Sequence, residues 1–384
     1  MAERATLLAE VSRRLGKRRL VWAGLRGDDI EPLSDLPQLS ASFSIIGAYR
    51  HRGGVDAIAY EDLSGTRVDP EIWDIDDHLD DNAAAKFRHG LLRALSGESA
   101  LLPYRPSQFL SAVHFARQEH SKILGLSGAQ QSAFEHKPWV EVSVKQLDIP
   151  QIPWLYIADE EQFSARSLSR GGSLVLRKSR TSGGEGFIHV QSAEDVAALW
   201  PHVDESFISV APFIENAVPV NVGAIVWSNT VTVHHPSVQL IGIESLVTRE
   251  FGYCGNDFGA IRDLDPAILD QIERSTVRLG TWLRKHGYRG SFGVDFLVHD
   301  GSPLFVEINP RFQGSTHASS RLSIESGEAC LMLEHLAAWL DIPGPKYFEP
   351  LRSVAKRIPD FSSFVVHWLD KSPAPADPSA LIDD

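Results

Sequence analysis

Cysteine, net positive charge and long apolar runs are what this sequence is short of. Two cysteines, Cys254 and Cys330, stand among 384 residues. That excludes a disulfide framework and a four-thiolate zinc site, and a reducing cytoplasm is the expected location. No run of about 18 apolar residues occurs, so no spanning helix and no membrane partner are expected. The opening stretch MAERATLLAEVSRRLGKRRL scatters charge along its length and lacks the apolar core of a secretory signal. Lys and Arg number 37 against 50 Asp and Glu, a net charge of −13. A nucleic-acid partner would need a basic stripe to offset this. The two densest basic clusters, Arg13–Arg19 and Arg177–Arg180, are short. The first reads as a solvated helix face, and no nucleic-acid partner is expected.

What is present is ordinary in bulk. Hydrophobic residues make up 43 % and charged residues 23 %, as in a soluble globular protein. The length suggests two or three domains. Strand patterns at 18–26, 40–49 and 55–60 alternate with helical ones at 82–95 and 106–124, which predicts an α/β lobe over 1–130. A second region holds a helix ended near Asp148 and Pro150. Strands follow at 172–180 and 186–190, then a helix over 192–203 capped by Ser192. Strands are predicted at 206–214 and 219–227, followed by two further segments, TVTVHH and VQLIGIES. A helix over 265–287 shows an apolar stripe of Ile268, Ile272, Val277, Leu279 and Leu283. A final helix is predicted over 322–340. The Pro/Ala/Asp-rich tail 371–384 reads as disordered.

Two strands carry the chemistry. In PLFVEIN, alternation places Leu304, Val306 and Ile308 on one face, towards the core. It places Phe305, Glu307 and Asn309 on the other. In GSFGVDFLV, Asp295 lies opposite the apolar face of Phe292, Val294, Phe296 and Val298. A connecting loop of three or five residues around Gly301 sets Asp295 across from Glu307, with Cβ atoms about 5 Å apart; a two-residue loop breaks that register. Two readings remain: a half-exposed sheet with both carboxylates in solvent, or an acidic pair that takes a cation such as Mg²⁺, whose usual ligands are one or two carboxylates and phosphates.

Upstream, LVLRKSRTSGGEGF runs from strand into a loop with Gly183, Gly184 and Gly186. Such glycines let backbone N–H groups face an anion, and Arg177 and Lys178 stand beside it. An ordinary flexible hairpin is the alternative. No G-K-[ST] follows, so it is not a Walker loop; no helix follows, so it is not a Rossmann fingerprint.

In this order, these pieces resemble the ATP-grasp superfamily of carboxylate–amine ligases. The resemblance covers about 130–340. It implies an α+β ATP-grasp fold, two α/β lobes gripping ATP, preceded by a Rossmann-like α/β domain. The boundaries it implies are 1–130, then 131–208 for the small lobe with the glycine flap. The large lobe with the metal site follows at 209–345, and a C-terminal extension at 346–384. It implies that ATP binds Lys137, Arg177, Lys178, Gly183, Gly184 and Gly186, together with the hinge residues Ala211, Phe213 and Glu215. Asp295, Glu307 and Asn309 would hold Mg²⁺, with Mn²⁺ as the alternative. Arg311 and Arg249 would act on the substrates, with Asp257, Gln313, Ser315 and His317 as weaker candidates near the acceptor. Cys254 reads as a small buried residue, not a nucleophile. VEINPRFQGSTHAS is most similar to actinobacterial natural-product peptide ligases of the pheganomycin type. The implied reaction joins an amino-acid or peptide carboxylate to an amine through an acyl phosphate, releasing ADP. The alternatives are loading of an amino acid onto a carrier-protein thiol, a kinase, and a non-catalytic nucleotide-binding protein. A homodimer is a further expectation.

Overall fold

The computed structural model describes residues 3–48, 55–69, 73–158, 172–178, 186–201 and 207–367. Gly183, Gly184 and the tail from 371 lie outside these residues.

Three sheets organise the described residues. The first is parallel and runs β3-β2-β1-β4-β5. Its strands are β1 (Arg19–Arg26), β2 (Leu39–Ile46), β3 (Asp56–Ala59), β4 (Ser99–Pro103) and β5 (Ser121–Ile123). The second is antiparallel and runs β6-β9-β7-β8. It comprises β6 (Leu155–Ile157), β7 (Leu174–Arg177), β8 (Phe187–Val190) and β9 (Ile208–Pro212). The third is antiparallel and runs β14-β13-β10-β11-β12-β15. It comprises β10 (Val218–Val226), β11 (Val231–Ile241), β12 (Tyr253–Asp257), β13 (Gly290–His299), β14 (Ser302–Asn309) and β15 (Ser362–Phe364).

The helix Pro266–Lys285 forms where its stripe predicts it. Asp265 caps it by accepting from the Ala267 N–H at 2.8 Å, and Pro266 sits where its missing N–H costs nothing. Its buried face carries Ile268, Ile272, Leu279 and Leu283 against the large-lobe core.

Several expected elements are redrawn by tertiary pairing. The helix expected over 106–124 stops at Phe115, and Ser121–Ile123 leaves it to pair in parallel with β4. The apolar run Ser99–Pro103, unassigned from sequence, is a fully buried strand. The helix expected over 192–203 shrinks to a 3₁₀ turn and Val196–Leu199, because Trp200 precedes Pro201 and takes extended ψ. The two segments around Pro236 form one strand, β11. A register shift between Val222 and Ala224 of β10 falls opposite His234 and His235 and accommodates the proline. The expected final helix is two, Thr316–Glu325 and Leu331–Trp339, broken at Gly327. The third sheet takes in residues 362–364, beyond the expected large-lobe limit at 345.

One core joins the N-terminal lobe to the large lobe. Trp22, Leu102 and Leu124 pack with Trp227, Phe312, Leu331 and Leu336. Each fully buried side chain of this kind contributes about 1.5–3 kcal/mol. Through this core runs His335, which accepts from the Ser291 N–H at 2.9 Å and donates to the Leu124 carbonyl at 2.9 Å. Accepting from Ser291 requires an unprotonated Nδ1 and so the neutral ring, and burial holds its pKa down to about 4.

An imidazole in the unfolded chain takes its proton near pH 6.5. Between that value and about 4 the unfolded chain therefore binds more protons, and stability falls as pH drops. His335→Leu strands two backbone groups, at about 1–3 kcal/mol each. Urea unfolding at pH 7.5, 5.5 and 4.5 should show the variant destabilised most above pH 6.5. The gap from wild type should narrow by on the order of 3 kcal/mol towards pH 4. A pH-independent gap would contradict the neutral ring.

Candidate active site

The β13–β14 hairpin turns on two residues, Asp300 and Gly301, with φ of 47° and 72°. Both turn positions need left-handed φ, which Asp-Gly supplies. His299 pairs with Ser302 and Phe296 with Phe305, a register that by itself would misalign the carboxylates. A bulge between Asp295 and Phe296 on the partner register leaves Val306 as the extra residue, and Asp295 pairs with Glu307. The expected facing therefore comes about by a different route. The bulge also changes the faces. Phe305, expected beside Glu307, is buried in the core with Phe296, Val294 and Ile308, while Leu304 and Val306 are only half-buried.

Every neighbour of the acidic pair answers its charge. Asn221 of β10 donates to Asp295 Oδ1 at 2.5 Å, and Gln239 of β11 donates to the same oxygen at 3.3 Å. Asn309 Nδ2 lies 3.2 Å from both Asp295 Oδ2 and Glu307 Oε1. Lys137, the first residue of the helix Lys137–Gln146, places Nζ 2.9 Å from Glu307 Oε2. Burial and the Glu307 charge push the Asp295 carboxyl well above the usual carboxylate range. Burial opposes ionisation of Glu307 too, but Lys137 outweighs it and holds that carboxyl down, to about 2.

Arg311 bridges this pair to the N-terminal lobe. Its Nη2 donates to Asn309 Oδ1 at 3.0 Å and its Nε to Glu135 Oε1 at 2.8 Å. Arg105 reaches Glu135 Oε2 at 3.8 Å. Burial would raise the Glu135 pKa, but the two guanidiniums hold it low. Asn309 thus offers nitrogen to the carboxylates and oxygen to Arg311, so metal ligation through Oδ1 requires its amide to turn over.

The acidic pair, Asn309 and Arg311 face a cavity of about 1670 Å³ between the lobes, with Lys137 and Glu135 behind its lining. Asp295, Glu307, Asn309, Arg311, Arg249 and Gln313 line it, as do Ala211 and Phe213 of the hinge. Val175, which pairs with Ala211, and Leu297 add apolar wall. Arg177 shares the face of Val175, while Leu174 and Leu176 pack into the small-lobe core. Its buried guanidinium pairs with Glu141 and stacks 3.9 Å from the Trp154 ring centroid. Its Nε and Nη1 have no hydrogen-bond partner among the described residues. Lys178 N–H closes the hairpin onto the Gly186 carbonyl at 3.4 Å.

Several candidates lie outside the lining of the cavity, among them Lys137, Arg177 and Lys178. Glu215 is exposed in a turn and does not line it. Asp257 caps the 3₁₀ turn Gly259–Asp263, accepting from the Ala260 N–H at 3.0 Å. His317 is half-buried and also outside the lining. Ser315 lines the cavity and donates to Asn221 Oδ1 at 2.9 Å. Cys254 is buried in β12. Sequence reasoning missed Asn221, Gln239, Glu135 and Glu141. For Asn221 a signal existed: a lone amide inside the apolar strand VPVNVGAIV.

Residues 143–315 match the ATP-grasp domain family. The fold is ATP-grasp. The large chain of carbamoyl phosphate synthase from Helicobacter pylori is 28 % identical over 181 residues, covering 44 % of this chain and 15 % of that one. Acetyl-CoA carboxylase of Dictyostelium discoideum is 27 % identical over 147 residues, covering 37 % of this chain and 6 % of that one. The chain thus spans only a small part of these curated relatives. The solved structure of N5-carboxyaminoimidazole ribonucleotide synthetase from Thermus thermophilus superposes with a TM-score of 0.58 at 14 % identity, covering 84 % of this chain and 79 % of that one. The biotin carboxylase domain of Hydrogenobacter thermophilus 2-oxoglutarate carboxylase, a dimer in complex with MgADP, ADP and bicarbonate, gives 0.60 at 14 %, with 84 % and 69 % covered. Among the described residues no helix is long and apolar enough to cross a membrane.

The C-terminal segment closes one side of the cavity. β15 pairs with β12, the Val365 N–H bonds the Cys254 carbonyl at 2.9 Å, and the His367 N–H bonds the Leu246 carbonyl at 2.8 Å. Val365, Val366 and His367 line the cavity. Gly255 permits this: its φ is 122°, and a Cβ there would lie 1.9 Å from the Ser363 carbonyl oxygen. Gly255→Ala should release the strap, speeding hydrogen exchange at the Val365 and His367 amides by about ten-fold or more. Unchanged exchange would show that other contacts hold the segment.

Proposed function

We propose that this chain is an ATP-dependent carboxylate–amine ligase that releases ADP and phosphate. The observation that carries the reading is the opposed pair Asp295 and Glu307, flanked by Lys137 and Arg311 on an interlobe cavity. Two facing carboxylates answered by only one direct ammonium fit a divalent cation with hard oxygen ligands. Among the described residues no group of three or more His, Cys, Asp and Glu converges on a metal position, so phosphates would complete the shell. Bound there, Mg²⁺ would neutralise phosphate charge as an anionic nucleophile approaches.

The chain's own residues supply position and charge. Val175, Ala211, Phe213 and Leu297 form an apolar slot suited to a purine. Arg177 keeps two donors unmatched among the described residues, which an anionic ligand beside Trp154 would satisfy. Lys137 is placed to shift between Glu307 and a phosphate. Arg311, fixed by Glu135, turns its guanidinium to the reacting end, where it can hold a carboxylate. In the reaction, a substrate carboxylate oxygen attacks the γ-phosphorus, and ADP departs with the electrons of the broken P–O bond. An amine nitrogen then attacks the acyl carbon, the carbon–oxygen bond to phosphate breaks, and the extra nitrogen proton leaves with phosphate or to water. The similarity of VEINPRFQGSTHAS to natural-product peptide ligases supports an amino-acid or peptide carboxylate and a natural-product setting.

ATP turnover with Mg²⁺ against panels of carboxylates and amines, with products identified by mass, tests this. ADP together with an amide is expected. AMP and pyrophosphate would refute it. Glu307→Ala should lower turnover at least about 100-fold with an unchanged circular dichroism spectrum; near-normal activity would refute the metal role.

A further inference from the structure

The cavity does not end at the acidic pair. It continues into the N-terminal lobe, whose parallel strands run β3-β2-β1-β4-β5. Chain order reverses between β1 and β4, and such a switch point leaves a crevice at the carboxyl ends of the strands. The cavity enters this crevice: Ala23 to Arg26 from the end of β1 and Tyr104 to Ser107 after β4 both line it.

The crevice is apolar inside. Phe87 and Phe109, 2 % and 1 % exposed, contribute to its lining, and so do Ile45, Trp73 and Ile75. The Trp73 ring is fixed 4.7 Å from Tyr60 and stacked 4.9 Å from His78. The guanidiniums around it are answered by carboxylates. Arg26 donates to Asp29 at 2.6 Å, Arg67 meets Glu61 at 2.9 Å, and Arg105 lies 4.0 Å from Asp74 and 3.8 Å from Glu135. In a nucleotide-binding sheet, a phosphate would meet a helix N-terminus just after β1. Here that position is the 3₁₀ turn Asp28–Leu33, with Asp28, Asp29 and Glu31 in its first turn. Of these acids Asp29 lines the cavity, already paired with Arg26, so this turn presents no open helix N-terminus to a phosphate.

We infer that this crevice is the acceptor subsite, and that it takes an unphosphorylated amine bearing a bulky apolar side chain, such as an aromatic amino acid. The inference deepens the ligase reading and rests on it for the chemistry, though not for binding. The side chain lies on Trp73, Phe87 and Phe109. The amine end points out of the crevice towards the acidic pair, beside the carboxylate that Arg311 holds, and the Arg105–Glu135 link joins Arg311 to this lobe. At this end of the cavity the lining carboxylates Asp29, Glu61, Asp69 and Asp74 outnumber the guanidiniums Arg26, Arg67 and Arg105, which favours an ammonium over an anion.

Calorimetry on the full chain, with no turnover needed, separates the possibilities. The probes are L-phenylalaninamide, glycinamide and O-phosphoethanolamine. Phenylalaninamide should bind at least about 30-fold more tightly than glycinamide, the value of burying one aromatic side chain, and phosphoethanolamine should not bind. Trp73→Ala should weaken phenylalaninamide about ten-fold. Ile75→Asp, at a half-buried wall position, should do so independently. Equal affinity for glycinamide, tighter binding of phosphoethanolamine, or unchanged binding in both variants overturns the subsite. The two readings fail separately. A chain that binds phenylalaninamide yet forms AMP keeps the subsite and loses the ligase. One that forms ADP and amides only with small or phosphorylated amines keeps the ligase and loses the subsite.

Discussion

Repulsion between Asp295 and Glu307 is the constraint around which the site is built. Two facing carboxyls resist ionising together, and Asp295 meets that by holding its proton more readily beside Glu307. The protein imposes this pair by spending a bulge at Val306 to restore a register that a two-residue turn would lose. It then answers the charge from several directions. Asn221 and Gln239 come from neighbouring strands, Lys137 from the helix ahead of the small lobe, and Arg311 from the loop after β14. Asp295 and Glu307 respond unequally because the one ammonium sits on Glu307.

The small lobe follows a similar logic with the signs reversed. Arg177 is a fully buried cation on the same face of β7 as Val175, behind the cavity wall, and Glu141, with Tyr156 donating to it at 2.6 Å, fixes one edge of the guanidinium. The remaining edge lies against aromatic rings, where a charged donor is poorly solvated.

How much of this the chain displays before folding depends on where each charge sits. Glu307 and Asn309 interrupt an apolar strand, so alternation alone marks them. Asn221 interrupts VPVNVGAIV in the same way. The small-lobe strands and the long helix Pro266–Lys285 follow from pattern and caps. Glu135 and Glu141 are different: in FEHKPWVEVSVKQ they look like a solvated helix face, and only packing against Arg311 and Arg177 buries them. The bulge was equally hidden, because Val306 satisfies a strand pattern whether or not it is paired. The split of the 106–124 segment has a similar cause. Ser121–Ile123 has no strong preference of its own, and β4 supplies the partner.

Glu135 links these parts. Its two oxygens are divided between Arg311, which orients Asn309 beside the acidic pair, and Arg105, which stands on the wall of the N-terminal crevice. It is a half-buried anion between two cations, so removing Arg311 leaves it only the longer contact to Arg105. The contents of the crevice and the position of Arg311 are therefore not independent. A ligand that displaces Arg105 from Glu135 strengthens the hold of Glu135 on Arg311, and one that recruits Arg311 strengthens its hold on Arg105. One carboxylate thus ties the wall of the N-terminal crevice to Arg311 beside the acidic pair.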